Sequence, residues 1–250
     1  MRTTAILNMK GGVGKTTTVI NMAAILGARN KKVLVIDGDC QCNTTEFFGG
    51  YGRARTLANI LRGETDDRDE ICPTEVSGVD LLPADESLMD FDLTKAEDGR
   101  LNIDALRLRR KADWESRYDF ALIDCPPAFS AATAAALLAA DDVIIPMKLD
   151  AFSIRGMANL FRQVENMRRI NPELSIAGIL PTMWYRSDQT QQAEHELRRT
   201  GLPVFNHIRR SNTVDRMTFA QAPLQDVSRN SAALRDYRIA VREYLNREVC

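Results

Sequence analysis

A chain of 250 residues with 44% hydrophobic side chains is long enough to form one large domain with a sizeable core. Its longest apolar run, residues 134–140, is far shorter than the about 18 residues that a membrane span needs, and Lys10 stands where a signal peptide would be apolar. The five cysteines include no C-x-x-C pair, which argues against a disulfide framework and against a zinc site. We therefore expect a single cytoplasmic domain over residues 1–250, with reduced thiols and no membrane partner.

The net charge of −1 hides an uneven distribution along the chain. Residues 151–250 contain 15 arginines, no lysine and 10 acidic residues, a net charge of +5. Residues 1–150 contain 18 basic and 24 acidic residues, a net charge of −6. A basic part of this kind indicates either a surface for a polyanion or a set of solvated helix faces, and the charge alone favours neither.

The most distinctive stretch is a glycine-rich segment between a predicted strand, residues 3–7, and a predicted helix, residues 15–29. The backbone N–H groups of such a loop can surround phosphate oxygens, and the dipole of the following helix favours the same anion. Lys15 is expected to reach the terminal phosphates, and the Thr16 hydroxyl to bind Mg²⁺. The predicted nucleotide contacts in this loop are Lys10, Gly11, Gly12, Val13, Gly14, Lys15, Thr16 and Thr17.

Two further segments place carboxylates where a phosphate loop needs them. Residues 32–37 form a continuous β-branched run expected of a buried parallel strand, and Asp37 and Asp39 follow at the sheet edge where ligands of open α/β sheets bind. The apolar run before Asp124 is typical of a Walker B strand, whose carboxylate reaches Mg²⁺ through a water. The order of these elements predicts an α/β P-loop NTPase fold: a doubly wound, mostly parallel twisted sheet with helices on both faces.

The remaining elements follow from apolar spacing. Further strands are predicted at residues 79–83, 142–146 and 175–180, with short strand pieces at 204–205 and 207–208. Helices are predicted at residues 102–114, 130–140, 150–169, 188–199 and 232–249. We expect Ser153 and Asp188 to cap two of these helices, and the acidic run at 64–70 to be a solvated loop or helix end.

The segment K-G-G-V-G-K-T-T at residues 10–17 resembles the deviant Walker A motif of the ParA/MinD family of ATPases. Met9 replaces the first glycine of the standard loop, and a lysine precedes the glycines. The resemblance implies an ATP-bound homodimer in which Lys10 crosses the interface to the phosphates of the partner's nucleotide.

Three later segments extend the resemblance. Residues 37–43 are similar to the family pattern D-x-D-P-Q-x-N with Cys40 in place of proline, which implies that Asp39 positions the attacking water and Asp37 supports the Mg²⁺ shell. The D-x-P-P ending at residues 124–127 resembles the second switch of the family and supports Asp124 as a metal residue. The segment 181–183 resembles the loop beside the adenine, which makes Met183 a candidate contact of the base.

Within the family the chain looks most like the DNA-partition ATPases of the ParA type. That likeness implies an ATP- and Mg²⁺-dependent dimer that binds non-specific double-stranded DNA and associates with the nucleoid. It also implies weak ATPase activity stimulated by a centromere-binding or adaptor protein, for plasmid or chromosome partition or cargo positioning. The candidate DNA contacts are Arg186, Arg209, Arg210 and Arg216, and ordinary surface arginines are the alternative interpretation.

Two other members of the family are alternatives. A MinD-like membrane-cycling regulator would need a basic amphipathic extension after the last helix, and residues 246–250 do not have that pattern. A metal-cluster carrier or reductase related to the nitrogenase iron protein would need cysteines at the dimer axis, for which Cys125 is the main candidate. Neither pattern is as complete as that of the ParA type.

Overall fold

The computed structural model describes residues 1–64 and 70–247. Its seven strands form one sheet in the order β3-β4-β2-β5-β1-β6-β7, in which only the β3–β4 pair is antiparallel. The predicted doubly wound, mostly parallel sheet is therefore confirmed. The strands are β1 Arg2–Ile6, β2 Val33–Asp37, β3 Cys72–Pro73, β4 Val79–Leu82, β5 Phe120–Asp124, β6 Asp142–Lys148 and β7 Ser175–Thr182.

Helices connect the strands and cover the sheet. The helices are α1 Lys15–Gly27, α2 Asn43–Phe47, α3 Leu57–Arg62, α4 Leu93–Glu97, α5 Ala105–Arg109, α6 Glu115–Arg117, α7 Ala131–Ala139, α8 Ala151–Arg168, α9 Asp188–Arg199, α10 Asn212–Ala220, α11 Leu224–Val227 and α12 Ala232–Leu245. A 3₁₀ helix spans Glu86–Asp90, and a π-helical turn at Arg110–Trp114 joins α5 to α6. In the described part of the chain, none of these helices combines the length and the apolar character needed to cross a bilayer.

The core has two halves, one on each face of the sheet. Side chains of a strand alternate between the faces, so Ala5 packs with α3, α5, α7 and α8, while its neighbour Ile6 packs with α1, α10 and α12. All five residues of β2 are buried, as expected for a parallel strand covered on both sides. This double cover leaves the carboxyl ends of β1, β2 and β5 side by side at one edge.

Several predicted boundaries are wrong by a few residues. The first helix ends at Gly27 instead of residue 29, because Asn30 adopts a left-handed conformation (φ 59°) and the Lys31 N–H bonds back to the Leu26 carbonyl. Ser187, not Asp188, caps α9, since its hydroxyl accepts a bond from the Thr190 N–H. The helix predicted from residue 150 begins at Ala151, so Ser153 lies inside α8.

Other elements differ in kind. The two strand pieces predicted near residue 206 are single bridges, Ile179 to Val204 and Trp184 to Arg209. The helix predicted at 102–114 begins at Ala105 and continues through the π turn to Arg117. The short elements β3, α10 and α11 were not predicted. The last predicted helix, at 232–249, ends at Leu245 with Asn246 as its C-cap. Residues 65–69 of the acidic run and residues 248–250, including Cys250, lie outside the described residues.

Candidate functional site

The glycine loop leaves the middle of the sheet. It follows β1, which pairs with β5 on one side and β6 on the other, and it leads into α1 at Lys15. Gly12 and Gly14 have left-handed φ angles of 68° and 86°, which side chains rarely adopt. A side chain built at Gly11 or Gly12 would meet no protein atom within 4 Å, so the loop opens onto free space. The first N–H groups of any α-helix have no intrahelical acceptors, so the start of α1 next to this loop can bind an anion.

The two lysines of the loop have different surroundings. Lys15 is 7% exposed, and its Nζ donates to the Lys10 carbonyl at 3.3 Å. Burial lowers the pKa of Lys15, although the charge of Asp124 acts in the opposite direction. The Nζ of Lys10 lies 3.0 and 3.2 Å from the two carboxylate oxygens of Asp150 in the same chain, and the Lys10 side chain is 41% exposed. A contact of Lys10 with a second copy would therefore require this ion pair to separate.

The Asp124 carboxylate contacts the end of the phosphate loop. The hydroxyls of Thr16 and Thr44 both donate to its Oδ2 at 2.6 Å. Its Oδ1 is buried and has no hydrogen-bond partner among the described residues. Burial raises the pKa of Asp124 to about 6, although both threonine bonds favour the charged form. The side chain therefore presents one free acceptor oxygen beside Thr16.

Asp37 lies opposite Asp124 in the register of β2 and β5. It is fully buried, and its Oδ2 accepts bonds from the backbone N–H and the hydroxyl of Thr45 at 2.8 and 2.7 Å. Its Oδ1 accepts a bond from the Asp39 N–H at 3.0 Å. Burial, followed by the neighbouring charge of Asp124, raises the pKa of Asp37 to about 7. Because protein donors already contact both of its oxygens, Asp37 is placed to support the site and not to bind a metal directly.

Asp39 lies in the turn that follows β2. Its Oδ1 accepts the Gln41 N–H at 3.0 Å, its carbonyl accepts the Cys42 N–H at 2.9 Å, and the residue is half-buried. A side chain at Gly38 would come within 3.0 Å of the Asp124 carbonyl, so the turn passes very close to β5. Asp37, at the end of a buried strand, and Asp39, in the turn, thus have different environments.

The oxygen donors at this edge fit Mg²⁺ held together with a nucleotide. Magnesium in proteins prefers oxygen ligands and is usually bound by one or two carboxylates together with substrate phosphates. Thr16 and the unpartnered Oδ1 of Asp124 provide such oxygens. Within residues 1–64 and 70–247, no cluster of three or more His, Cys, Asp or Glu side chains could hold a metal by itself. The site is therefore suited to a metal that arrives with its phosphates.

A cavity of about 470 Å³ lies beside the start of α1, and Met183 is part of its wall. Met183 has a left-handed φ of 51° and is 38% exposed. The neighbouring Thr182 hydroxyl donates to the Val13 carbonyl at 2.8 Å, which joins the end of β7 to the phosphate loop. The prediction for Met183 did not include the rest of the wall, to which residues 208–212 and Tyr237 contribute. The cavity is large enough for a nucleoside.

The four predicted DNA-binding arginines do not have equal environments. Arg186, Arg210 and Arg216 are exposed. The Arg209 guanidinium instead forms two hydrogen bonds with the carboxylate of Asp236, at 2.8 and 2.7 Å. Arg209 therefore holds α12 to the cavity wall, whereas the other three side chains are exposed, Arg210 at the edge of the same cavity.

Comparison with known proteins identifies the family. A family model described as an AAA domain matches residues 1–176. The chromosome partitioning protein ParA of Caulobacter vibrioides is 37% identical over 198 residues, which cover 77% of this chain and 73% of that protein. The chain belongs to the ParA/MinD family of P-loop ATPases.

Two solved structures show what this ParA/MinD fold holds in other proteins. A variant of Cyanothece McdA in complex with ATP has a TM-score of 0.85 and 25% identity, covering 99% of this chain and 97% of that one. Cobyrinic acid a,c-diamide synthase of Mycobacterium smegmatis with bound ADP and magnesium has a TM-score of 0.81 and 28% identity, covering 97% of this chain and 93% of that one. Both proteins contain an adenine nucleotide, which agrees with the oxygen donors and the cavity described above.

Proposed function

We propose that this ParA/MinD-family protein is an ATP-dependent switch of the ParA type. Two copies associate as a sandwich homodimer when each holds ATP and Mg²⁺, and this dimer binds double-stranded DNA without sequence preference. Slow hydrolysis, stimulated by a centromere-binding or adaptor protein, returns the monomers. The observation that carries the proposal is that Lys15, Thr16 and Asp124 lie together below a glycine loop that begins with a partly exposed lysine, Lys10.

The proposed hydrolysis depends on charge and alignment. Phosphoryl transfer to water needs neutralised charge and an aligned nucleophile more than covalent help. Lys15 and the N-terminal N–H groups of α1 hold the terminal phosphates, while Thr16 and Asp124 hold the metal. When bound, Mg²⁺ supplies positive charge at the phosphate oxygens. Asp39 orients the attacking water, and because the described residues of the site offer no strong general base for that water, intrinsic turnover is slow.

The proposed dimer depends on Lys10. In the single chain this lysine pairs with Asp150, at a side-chain exposure of 41% and 28% respectively. Partly exposed ion pairs contribute little free energy to stability. The triphosphate of ATP bound to a second copy can therefore compete with Asp150 for the lysine. Light scattering with a non-hydrolysable ATP analogue tests this step, because wild type is expected to dimerise and Lys10→Ala to stay monomeric.

The proposed DNA surface consists of Arg186, Arg210 and Arg216. The first follows β7, the second precedes α10 and the third lies on α10, and all three are exposed. Exposed arginines bind DNA phosphates without reading sequence. The name of the Caulobacter relative, a chromosome partitioning protein, supports a role in partition.

The test is retention of the protein on random-sequence duplex DNA with ATP, with ADP and without nucleotide. We expect retention with ATP only, decreasing steeply as salt rises. The variant Arg186→Glu/Arg210→Glu/Arg216→Glu should lose retention. Because Arg210 also lines the nucleoside-sized cavity, Arg186→Glu/Arg216→Glu is tested beside it and should lose most of the retention while it keeps ATP-dependent dimerisation. Arg209 is left unchanged because reversing its charge would also break its ion pair with Asp236.

The matched control reverses three exposed arginines on other helices, Arg162, Arg238 and Arg242, and should keep DNA retention. Equal loss in both triple variants would show that only total charge matters. Absence of ATP-dependent retention in wild type would contradict the DNA-binding part of the proposal.

A further inference from the structure

Two neighbouring threonines of α2 are fully buried, Thr44 and Thr45. The Thr44 hydroxyl donates to Asp124 at 2.6 Å, and the Thr45 hydroxyl donates to Asp37 at 2.7 Å. The Thr45 oxygen also accepts the Ala84 N–H at 2.8 Å, beyond the end of β4. Each hydroxyl therefore bonds to a different buried carboxylate of the site.

These bonds account for the position of α2. The helix has only five residues and no side-chain cap, since Cys42 at its N-cap is left-handed and makes no capping bond. A helix this short is not stable by itself in water. A buried hydroxyl costs free energy unless it is bonded, and a bond to a charged acceptor is stronger than one between neutral groups. The tertiary bonds of Thr44 and Thr45 thus hold α2, together with the turn that precedes it.

Thr44 and Thr45 make different connections. Thr45 bonds to Asp37, the carboxylate with three protein donors, and to the chain after β4. Thr44 bonds to Asp124, at the same oxygen that accepts the Thr16 hydroxyl. The Oδ2 atom of Asp124 therefore connects α1, through Thr16, to α2, through Thr44. Helix α2 begins four residues after Asp39. This arrangement leaves Oδ1 of Asp124 without a donor from residues 1–64 and 70–247.

We propose that Thr44 is a positioning residue for hydrolysis, whose hydroxyl ties the turn carrying Asp39 to Asp124. The inference rests on the proposed ATPase function and adds the contact that regulates the position of Asp39. Within the described part of the chain, Thr44 is not part of the wall of the nucleoside-sized cavity, and its hydroxyl bonds to Asp124 and not to a residue of the phosphate loop. Its loss is therefore expected to affect turnover and not nucleotide affinity.

The main test variant is Thr44→Val, which keeps the shape of the side chain and removes the hydroxyl. In the nucleotide-free protein, we expect amide hydrogen exchange of residues 38–47 to become about tenfold faster, because a bond to a charged group is lost from a buried site. In steady-state ATPase assays, we expect kcat to fall about tenfold while the KM for ATP stays within about twofold.

Three further variants separate positioning from general damage. Thr44→Ser keeps the hydroxyl and should retain wild-type exchange and kcat. Thr4, on β1, has another fully buried hydroxyl, which is hydrogen-bonded to the Tyr244 hydroxyl at 2.6 Å. Thr4→Val removes this hydroxyl and should leave both kcat and the hydrogen exchange of residues 38–47 unchanged. If Thr44→Val does not fold by circular dichroism, Thr44→Ala serves in its place.

Each outcome decides the inference. Unchanged exchange at residues 38–47 in Thr44→Val would overturn it, as would a raised KM with unchanged kcat, which would make Thr44 a nucleotide-binding residue. A wild-type protein without ATPase activity would overturn the proposed function and the positioning role with it. Even then, the exchange measurement on the nucleotide-free protein would show separately whether Thr44 holds the turn.

Discussion

Charged side chains are buried at the sheet edge that carries the phosphate loop and exposed in the arginine-bearing segments after β7. At the first, Lys15, Asp37 and Asp124 are 7%, 0% and 1% exposed, and their charges are enclosed by protein. At the second, Arg186, Arg210 and Arg216 extend into solvent. Enclosed charges cost folding free energy unless a partner compensates them, whereas exposed charges cost little. The first region is thus built for a specific ligand and is sensitive to single changes, and the second depends on the sum of its charges.

The largest effect is expected at the enclosed lysine. Lys15→Ala removes the cation that faces the terminal phosphates, and loss of one partner of a buried charge pair should weaken ATP binding by about a hundredfold or more. Titration calorimetry with ATP and Mg²⁺ measures this, with the exposed Lys31→Ala as a control that should bind like wild type. ATP affinity of Lys15→Ala within a few fold of wild type would contradict the assignment of the loop.

The next effect distinguishes two adjacent arginines. Arg209→Ala leaves Asp236, whose side chain is 5% exposed, without its guanidinium partner. We expect the free energy of unfolding in urea to fall by about 2 kcal/mol, less than for a fully enclosed pair because Arg209 is itself 41% exposed. Arg210→Ala should change it by less than about 0.5 kcal/mol. Equal effects of the two substitutions would refute the division of the arginines into a structural and a solvent-facing group.

A smaller effect concerns the pH dependence of stability. The pKa of Asp37 is about 7 in the folded chain against 3.8 for the ordinary group, so between these values the folded state binds the additional proton. Asp37 therefore makes the free energy of unfolding decrease as pH rises from about 4 to about 7. Without nucleotide or metal, Asp37→Asn should be more stable than wild type at pH 8, by on the order of 1 kcal/mol, and the difference should disappear near pH 4.

Thermal unfolding in a chelating buffer at several pH values measures this difference. Gln41→Asn, at an exposed and uncharged position of the neighbouring turn, is the comparison and should show no pH-dependent change relative to wild type. If Asp37→Asn is less stable than wild type at pH 8, then burial is not the main influence on the pKa of this carboxylate.

The smallest effect is expected from a single exposed arginine. Arg216→Ala should weaken ATP-dependent DNA binding only a few fold and reduce the slope of log affinity against log salt by about one. Fluorescence anisotropy at several salt concentrations measures both quantities. A loss as complete as that of the triple charge reversal would mean that Arg216 acts as an individual recognition residue, contrary to the additive behaviour expected of this surface.

The part of the site that the sequence predicted is the part encoded by local patterns. Glycines before Lys15, and strands that end in Asp37 and Asp124, are recognisable within a few residues because parallel strands bring their carboxyl ends to one edge. Ile6, at the end of β1, pairs with Asp124 in the register of the sheet. The fold and this cluster of charges therefore follow from short motifs and the order of strands.

The part that was missed depends on contacts between distant segments. The cavity wall at residues 208–212 forms because the Ile208 N–H bonds to the Pro181 carbonyl, and no pattern around residue 208 encodes that partner. Thr44 and Thr45 look like ordinary helix residues until α2 is placed over the two carboxylates. α10 was missed because Met217 is its one buried residue, too few for an apolar stripe.

The central place of β1 has a consequence for the synthesis of the chain. Ile6 pairs with Asp124 on one side and with Ile144 on the other, and the Val13 carbonyl accepts its bond from Thr182. The phosphate loop therefore leaves the ribosome more than a hundred residues before the segments around Asp124 and Thr182 that pair with it. Such long-range pairing is slow to form, and hydrophobic strands stay exposed until it does. A nascent chain therefore cannot complete its nucleotide site until β7 has been made.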